Sequence, residues 1–319
     1  MKPNSTARFI MYDLRPSKQI ERKLVFDTIG NCARHVPDIA SLPFIGMGGF
    51  RFVDFLVANK AVSTSTFISI EHDSDIVPRC EYNKPFTSIT VRNESVHDFL
   101  ISGGTKSRAV VWLDYESGLT EDMLDEIQIL TGTIPPGSFV FVTCKALPDR
   151  SLRGKGQKRT REYYQDQLGT FALNFPEEAY SKNNFPSTAA RLLRNILADG
   201  FSGRSEGEYL PYLRLIYSDS NPMATVGGYF GLPGSSNDVL ASIDAAFPFL
   251  RSPQHDFVYD VGDFNLTEGE RRLFNRAALA PFGPSVDMGV LHALGFGFED
   301  VQTYRDLMRY VPRYFEAYL

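Results

Sequence analysis

The chain has 319 residues, of which 43% are apolar and 22% charged, and its formal net charge is −5. This length is enough for one large domain or two modest ones, and the composition is that of a globular protein. The negative balance argues against a protein that coats nucleic acid with its whole surface. No apolar run approaches the length of a membrane span or forms a secretory signal, so we expect a cytoplasmic protein without membrane contact.

The cysteines give little support for cross-links or metal binding. Cys32, Cys80 and Cys144 are odd in number, widely spaced and not part of a CxxC or Cys/His cluster. This pattern predicts three reduced thiols and no bound metal ion. Nothing in the sequence indicates an oligomeric state.

Taken in chain order, segments with helical apolar spacing alternate with short β-rich runs. Helices are predicted at residues 17–34, 50–59 and 121–130. Strands are predicted at residues 42–45, 66–70, 86–91, 109–113 and 138–144. This alternation predicts βαβ units with right-handed crossovers, and therefore an α/β protein with a Rossmann-like, doubly wound sheet.

The pattern changes after the fifth predicted strand. Residues from about 145 to 207 are polar, basic at first and then helical, which predicts a large insertion. Next, YLRLIYS and MATVGGYF flank the turn residues 219–222, so an antiparallel hairpin is predicted to close the sheet. We therefore divide the chain into a Rossmann-like domain of residues 1–234, which includes the insertion, and a small C-terminal module of residues 235–319.

A glycine turn joins the first predicted strand to the helix that follows. Gly46, Gly48 and Gly49 allow a tight turn and close approach of a ligand, while the helix beginning at Phe50 offers oriented N–H groups. Such a turn is common in any βα unit, but Glu71 adds context. This carboxylate ends the next strand, where it can accept hydrogen bonds from both hydroxyls of a ribose. We predict that these five residues bind a cofactor.

Two features distinguish between the cofactors that carry such a ribose. A dinucleotide site calls for a third glycine at position 51, where this chain has Arg51. The antiparallel hairpin is typical of class I S-adenosylmethionine (SAM) methyltransferases, whereas dehydrogenases usually finish with parallel strands. The sequence therefore favours SAM over NAD.

Two residues are candidates for catalysis. Asp114 ends the fourth predicted strand, where it can meet the amino-acid end of the cofactor or the acceptor. RNA 2′-O-methyltransferases place a lysine on the helix before the glycine turn, an aspartate after the fourth strand and a lysine after the fifth, which Lys18, Asp114 and Lys145 match. A lysine with a shifted pKa could deprotonate a ribose hydroxyl there. The glutamate of that arrangement, near the last strand, is absent from MATVGGYF.

Two further patterns suggest partners. Arg150 to Arg161 groups six basic residues without an acid. Such a run is either a solvated loop or a contact for an acidic partner such as a nucleic-acid backbone. Near the C-terminus, Tyr304, Tyr310, Tyr314 and Tyr318 are at near-helical spacing, which favours packing over a base-stacking surface. The helix predicted for residues 301–319 is interrupted at Pro312.

Several segments resemble a prokaryotic family described as "putative O-methyltransferase". They include PFIGMGGFRFVDF (43–55), FISIEHD (67–73), VVWLDYES (110–117) and YSDSNPMATVGGYF (217–230). The resemblance implies a Rossmann-like domain of the class I SAM methyltransferase type.

For the site, the same resemblance implies cofactor roles for Gly46, Gly48 and Glu71, with Asp114 on the acceptor side. One departure concerns the acid that usually precedes the glycine turn, because the apolar residues 42–45 fill that strand. The resulting hypothesis is a SAM-dependent methyltransferase whose acceptor is unknown, with nucleic acid or another phosphate-bearing substrate as candidates. The alternative, motivated by the missing acid, is a non-catalytic module that binds a nucleotide-like ligand or a partner protein.

Overall fold

The structure, a computed structural model, describes residues 15–36, 38–252, 254, 256–280 and 286–312. Its centre is one sheet of eight strands. The strands are β1 (Phe44–Gly46), β2 (Phe67–Ile70), β3 (Ile89–Arg92), β4 (Val110–Asp114), β5 (Ser138–Lys145), β6 (Glu208–Ser218), β7 (Pro222–Gly231) and β8 (Tyr259–Asp260).

The strands follow the order β3-β2-β1-β4-β5-β7-β6-β8. Neighbouring strands are parallel except that β7 runs antiparallel to both β5 and β6. The order reverses between β1 and β4, where Gly46 pairs with Trp112. The predicted Rossmann-like, doubly wound sheet with an antiparallel terminal hairpin is therefore confirmed.

Helices cover both faces of this sheet. They are α1 (Pro16–Asn31), α2 (Val53–Val62), α3 (Val77–Asn83), α4 (Val96–Ile101), α5 (Glu121–Thr133), α6 (Gly156–Leu168), α7 (Phe185–Ser202), α8 (Ser236–Ala246), α9 (Glu268–Leu279), α10 (Val286–Ala293) and α11 (Phe298–Leu307). Apolar residues of α1 and α2 share one core with those of the C-terminal helices. Those of α4 to α7 form a second core on the other face. No helix within the described ranges has the eighteen-residue apolar window that a bilayer span requires.

Element boundaries differ from the predicted ones where a local contact or dihedral angle decides. α2 begins at Val53, three residues later than predicted, because Gly49 and Phe52 have φ values of +51° and +53° and cannot continue into a helix. β3 begins at Ile89, three residues later than predicted, because residues 86–89 form a turn in which the Ile89 N–H donates to the Phe86 carbonyl oxygen at 3.2 Å.

Residues 145–207 contain two different kinds of structure. Residues 150–180 contain α6 and three short 3-10 helices and contribute no strand to the sheet. α7, in contrast, packs on β6 and β7 and alongside α5, so it is the helix that leads the chain from β5 into the hairpin. The proposed limits of the insertion remain a prediction.

Residues 235–312 add both a strand and helices to the fold. β8 extends the sheet beyond β6, and Tyr304 and Tyr310 are only 2% and 4% exposed. These two tyrosines therefore pack in the core and offer no stacking surface, while the predicted Tyr314 and Tyr318 lie outside the described residues. The expected terminal helix is shorter than predicted, since α11 ends at Leu307, before Pro312.

Candidate active site

A cleft of about 730 Å³ opens at the carboxyl ends of the parallel strands, where the strand order reverses. Ligands of open α/β sheets bind at this position. Its walls come from the glycine turn, the ends of β2 and β4, the first turns of α1 and the β6–β7 turn. The predicted site residues among its lining are Lys18, Gly48, Gly49, Phe50, Glu71 and Asp114.

The glycine turn is held tightly against the sheet. Gly46 ends β1, and a side chain there would come within 3.3 Å of the Trp112 carbonyl oxygen. The Gly48 N–H donates to Ser69 Oγ on β2 at 3.3 Å, and a Cβ on Gly48 would lie only 2.7 Å from the Phe55 ring. Gly49 has the positive φ that turns the chain towards α2. Packing therefore requires glycine at Gly46 and Gly48, and the backbone conformation favours it at Gly49.

Glu71 follows the last residue of β2 and reaches into the same cleft. Its side chain is 11% exposed, and Oε1 accepts a hydrogen bond from the backbone N–H of Asp73 at 2.9 Å. This bond fixes one carboxylate oxygen within the loop. Neighbouring His72 is 83% exposed, as expected for a surface histidine.

Phe50, predicted to contact the cofactor, lines the cleft but belongs mainly to the core. Its side chain is 7% exposed, and the Arg79 guanidinium lies over the ring at 3.9 Å from the centroid. The ring is therefore held between the core and a cation, where it supports the glycine turn from below.

An acid reaches the cleft in spite of the apolar first strand. Phe44, in β1, is buried in the core, as the sequence suggests. Asp54, in the first turn of α2, lines the cleft instead, with its Oδ1 2.5 Å from Arg22 Nε of α1. Both side chains are nearly buried, at 12% and 4% exposed. Neither Asp54 nor Arg22 was predicted as a site residue, because nothing in the spacing of α1 and α2 marks these two positions as facing the cleft.

Lys18 and Asp114, predicted from the sequence as catalytic residues, are in direct contact. Lys18 Nζ lies 2.7 Å from Asp114 Oδ2 and 2.7 Å from Glu21 Oε2, and it also donates to the Tyr217 hydroxyl at 3.2 Å. The ammonium lies over the Trp112 ring, 4.9 Å from its centroid. Of the acidic pair, Glu21 is fully buried while the Asp114 side chain is 23% exposed, so Asp114 is the carboxylate that an acceptor can reach.

The charges around Lys18 determine its protonation. Burial by itself lowers the pKa of Lys18, but the negative charges of Asp114 and Glu21 outweigh it and the pKa is raised. Lys18 is therefore an ammonium at neutral pH. This outcome corrects the idea that a lysine with a shifted pKa removes the acceptor's proton, because the shift is in the direction that prevents it. Asp114, the more exposed of the two carboxylates beside Lys18, is the better candidate for the base that accepts a proton.

The β6–β7 turn fixes the start of the helix that carries Lys18. The two carboxylate oxygens of Asp219 accept hydrogen bonds from the backbone N–H groups of Ser17 and Lys18, each at 2.9 Å. A carboxylate in this position satisfies two of the N–H groups left without partners at a helix N-terminus and faces the positive end of its dipole. The sequence marked Asp219 only as a turn residue.

Lys145 also lines the cleft, at the end of β5, so the three residues compared with RNA 2′-O-methyltransferases share one site. Sequence reasoning missed Glu21, although it lies one helical turn beyond Lys18 and therefore on the same face of α1. A helical projection of residues 16–31 would have found it. Among the described residues, no group of three or more His, Cys, Asp or Glu side chains is arranged to hold a metal ion.

Comparison with known proteins gives one family and several structural likenesses. Among solved structures, the chain is similar to the plantazolicin methyltransferase BpumL in complex with SAH, with 9% identity, 66% of this chain and 84% of that chain covered and a TM-score of 0.40. The chain is also similar to the Methanococcus jannaschii fibrillarin pre-rRNA processing protein, with 11% identity, 60% of this chain and 68% of that chain covered and a TM-score of 0.37. For a probable spermidine synthase from Corynebacterium glutamicum, the identity is 11%, the coverage is 71% of each chain and the TM-score is 0.39. No curated protein matches the chain.

The family comparison covers almost the whole chain. The model of a family described as "Putative O-methyltransferase" matches residues 10–319, which include the glycine turn, Glu71, the Lys18–Asp114 pair and the C-terminal helices. The sheet order and its antiparallel hairpin agree with this assignment. The protein is therefore a methyltransferase that belongs to the family described as "Putative O-methyltransferase".

Proposed function

We propose that this methyltransferase transfers the methyl group of SAM to a hydroxyl oxygen of its acceptor, with Asp114 as the general base. The observation that carries the proposal is the Lys18–Asp114 pair at the end of β4, with Nζ and Oδ2 2.7 Å apart. Asp114 is partly open to the cleft, whereas its cationic partner is buried beneath it. A positioned carboxylate of this kind can accept a proton as the acceptor oxygen reacts.

The residues present fit SAM as the cofactor. The turn at Gly48 and Gly49 would lie against the amino-acid part of the cofactor, and the Glu71 carboxylate would accept hydrogen bonds from the ribose. Asp54, with Arg22, would supply a carboxylate for the ammonium group of the cofactor, in place of the acid missing from β1. Bound there, SAM supplies an electrophilic methyl group on a sulfonium.

This chain's own residues would handle the proton and the orientation. The oxygen of the acceptor would bond to the methyl carbon while the methyl–sulfur bond breaks and S-adenosylhomocysteine leaves, and the proton of the acceptor hydroxyl would pass to Asp114. Lys18 stays protonated and holds the Asp114 carboxylate in one position, since it is itself held by Glu21 and Tyr217. Holding the two reactants in line contributes most of the rate in such a reaction, because little further chemistry is needed from the protein.

A phosphate-bearing acceptor, with nucleic acid as the polymeric case, is the substrate class that the surface charge favours. Arg150 lines the cleft, and it begins the basic run that continues through Arg153, Lys155 and Lys158, all exposed. Exposed cations next to a cleft attract phosphates from a distance and position them near the site. Arg159 forms an ion pair with Glu162 at 3.1 Å, so its charge is partly neutralised within α6.

The first experiment measures cofactor binding. Calorimetric titration of SAM, S-adenosylhomocysteine (SAH) and NAD into wild type and Glu71→Ala should give micromolar binding of the first two and none of NAD, with at least a tenfold loss on substitution. The absence of binding by all three would refute the cofactor assignment and favour a non-catalytic module.

Methyl transfer is then measured with tritiated SAM and total cellular RNA, DNA or a small-molecule extract. Asp114→Asn should bind SAH normally and lose activity by ~10²-fold or more, the usual contribution of a general base. Transfer at the wild-type rate by Asp114→Asn would refute its role. A rate to RNA that falls steeply with salt would support the phosphate-bearing acceptor, and replacing Arg153, Lys155 and Lys158 by glutamine should remove that dependence.

A further inference from the structure

Glu21, which holds Lys18 in the proposed reaction, is one of the least accessible carboxyl groups among the described residues. It lies on α1 one turn after Lys18 and its side chain is 0% exposed. Oε2 is 2.7 Å from Lys18 Nζ. Oε1 accepts hydrogen bonds from Thr143 Oγ1 of β5 at 3.3 Å and from Thr225 Oγ1 of β7. One oxygen is thus anchored to the sheet while the other faces the ammonium.

The anchor extends to the indole of Trp112. Thr143 Oγ1 and Thr225 Oγ1 are 2.8 Å apart, and Trp112 Nε1 donates to Thr143 Oγ1 at 2.9 Å. Trp112 is also the ring over which the Lys18 ammonium lies. These groups come from three neighbouring strands and are all buried. The orientation of the Glu21 carboxyl is therefore set by the sheet and not by solvent.

Stability alone does not call for a carboxyl at this position. Removing a carboxylate from water costs several kcal/mol, and a buried ion pair often stabilises no better than apolar side chains of the same volume. Burial raises the pKa of Glu21, and the charge of Asp114 raises it further, while Lys18 and the hydrogen bond from Thr225 lower it. The cost of burying Glu21 is therefore better explained by its contact with the Lys18 ammonium than by a gain in stability.

We infer that Glu21 is a positioning residue for methyl transfer: it draws the Lys18 ammonium towards the sheet, so that Asp114 shares the cation and stays able to accept the acceptor's proton. This inference rests on the proposed function of Asp114. Without Glu21, the ammonium would be held by Asp114 and the Tyr217 hydroxyl. Its attraction would then fall mostly on Asp114, whose carboxylate would be less free to accept the proton of the acceptor.

The charged and titratable groups that face Glu21 come from every element packed around it. α1 contributes Lys18 and Arg22, and α2 contributes Asp54, which is paired with Arg22. β4 contributes Asp114 and β6 contributes Tyr217, whose pKa is raised well above its ordinary value, first by burial and then by Glu21 and Asp114. Tyr217 therefore stays neutral, and burial raises the pKa of Glu21 above its ordinary value.

A spectroscopic test follows because Trp112 is the single tryptophan of the chain. Excited at 295 nm, its fluorescence should respond to protonation of Glu21 through the ammonium over its ring and the Thr143 hydroxyl bonded to its nitrogen. Wild type should show a fluorescence transition with a midpoint above the ordinary pKa of a glutamate, because burial raises the pKa of Glu21. Glu21→Gln should lose this transition, and Asp27→Asn, a matched change on the same helix that breaks an ion pair with Arg309, should retain it.

Activity and binding complete the test. Glu21→Gln should bind SAH within about twofold of wild type, transfer methyl groups at least tenfold more slowly, and reach half of its own maximal rate at a lower pH. Thr225→Val, which keeps the carboxyl and removes its short hydrogen bond, should move the fluorescence midpoint of wild type to higher pH. This second variant keeps the inference testable if Glu21→Gln does not fold.

The outcomes separate this inference from the proposed function. A Glu21→Gln protein with wild-type rate and pH profile, a fluorescence transition retained in Glu21→Gln, or an unmoved midpoint in Thr225→Val would each overturn it. Failure of wild type to bind SAH would instead refute the proposed function, and the fluorescence titration would still report on the contact between Glu21 and Lys18.

Discussion

Replacing Asp219 by alanine should destabilise the protein and impair its activity through one change at the start of α1. The carboxylate accepts two charge-assisted hydrogen bonds of 2.9 Å from backbone N–H groups. Loss of a helix N-cap costs ~0.5–2 kcal/mol, and loss of a favourable charge at the dipole ~0.3–1 kcal/mol. We expect the free energy of unfolding to fall by about 2 kcal/mol, as measured by urea titration followed by tryptophan fluorescence. Methyl transfer should fall as well, because Lys18 carries one of the two N–H groups.

The control for this prediction is Asp125→Ala, which removes an exposed carboxylate of α5 and should change stability by no more than ~0.5 kcal/mol. Asp219→Asn keeps one acceptor oxygen and should lose about half as much stability as Asp219→Ala. The reasoning would be refuted if Asp219→Ala unfolded at the same urea concentration as the control and transferred methyl groups at the wild-type rate.

Three further predictions concern other parts of the structure. Gly48→Ala should weaken SAH binding at least tenfold in calorimetry and lower the free energy of unfolding by ~1–3 kcal/mol, because its Cβ would lie 2.7 Å from a phenylalanine ring. The control Gly132→Ala, on α5, has open space around the new Cβ and should be neutral or slightly stabilising. Arg214→Met should lower the free energy of unfolding by ~3 kcal/mol or more, since the guanidinium donates to five backbone carbonyls; a loss below 1 kcal/mol would contradict this reasoning. Burial raises the pKa of each cysteine thiol to about 12, so native protein should not react with 5,5′-dithiobis(2-nitrobenzoate) at pH 8, while unfolded protein should react at three sites.

The sheet was predictable from the sequence because its strands are buried on both faces. Short continuous apolar runs such as residues 138–144 are typical of strands that are covered on both faces. The glycine turn and the Asp219–Pro222 turn mark where neighbouring strands begin and end. The predicted boundaries failed where dihedral angles or single contacts decide them. Phe52, with its positive φ, is an example that no propensity would indicate.

The polar part of the site was harder to predict. Lys18, Glu21 and Arg22 are spaced as a charged, solvated helix face would be, yet all three are nearly buried. Their burial depends on which elements cover α1. These elements range from α2, whose Asp54 is 32 residues from Arg22, to β6 and β7, about 200 residues further along the chain. Local periodicity carries no information about such distant partners. Asp114 could be predicted because the end of a parallel strand is a functional position whatever packs around it.

The attachment of α1 along its length has a consequence for how the protein is made. Its first turn is bonded to Asp219, and further along Lys23 Nζ donates to the Tyr310 carbonyl oxygen at 3.0 Å while Asp27 pairs with Arg309 at 2.9 Å. Contacts of this sequence separation close the largest loops and form late in folding. During synthesis, the helix that carries Lys18 leaves the ribosome well before its partners in β6, the β6–β7 turn and the segment around Tyr310. Competence for methyl transfer should therefore appear only after the residues up to Tyr310 have been made, so a chain that stops before them would hold a glycine turn without an ordered catalytic pair.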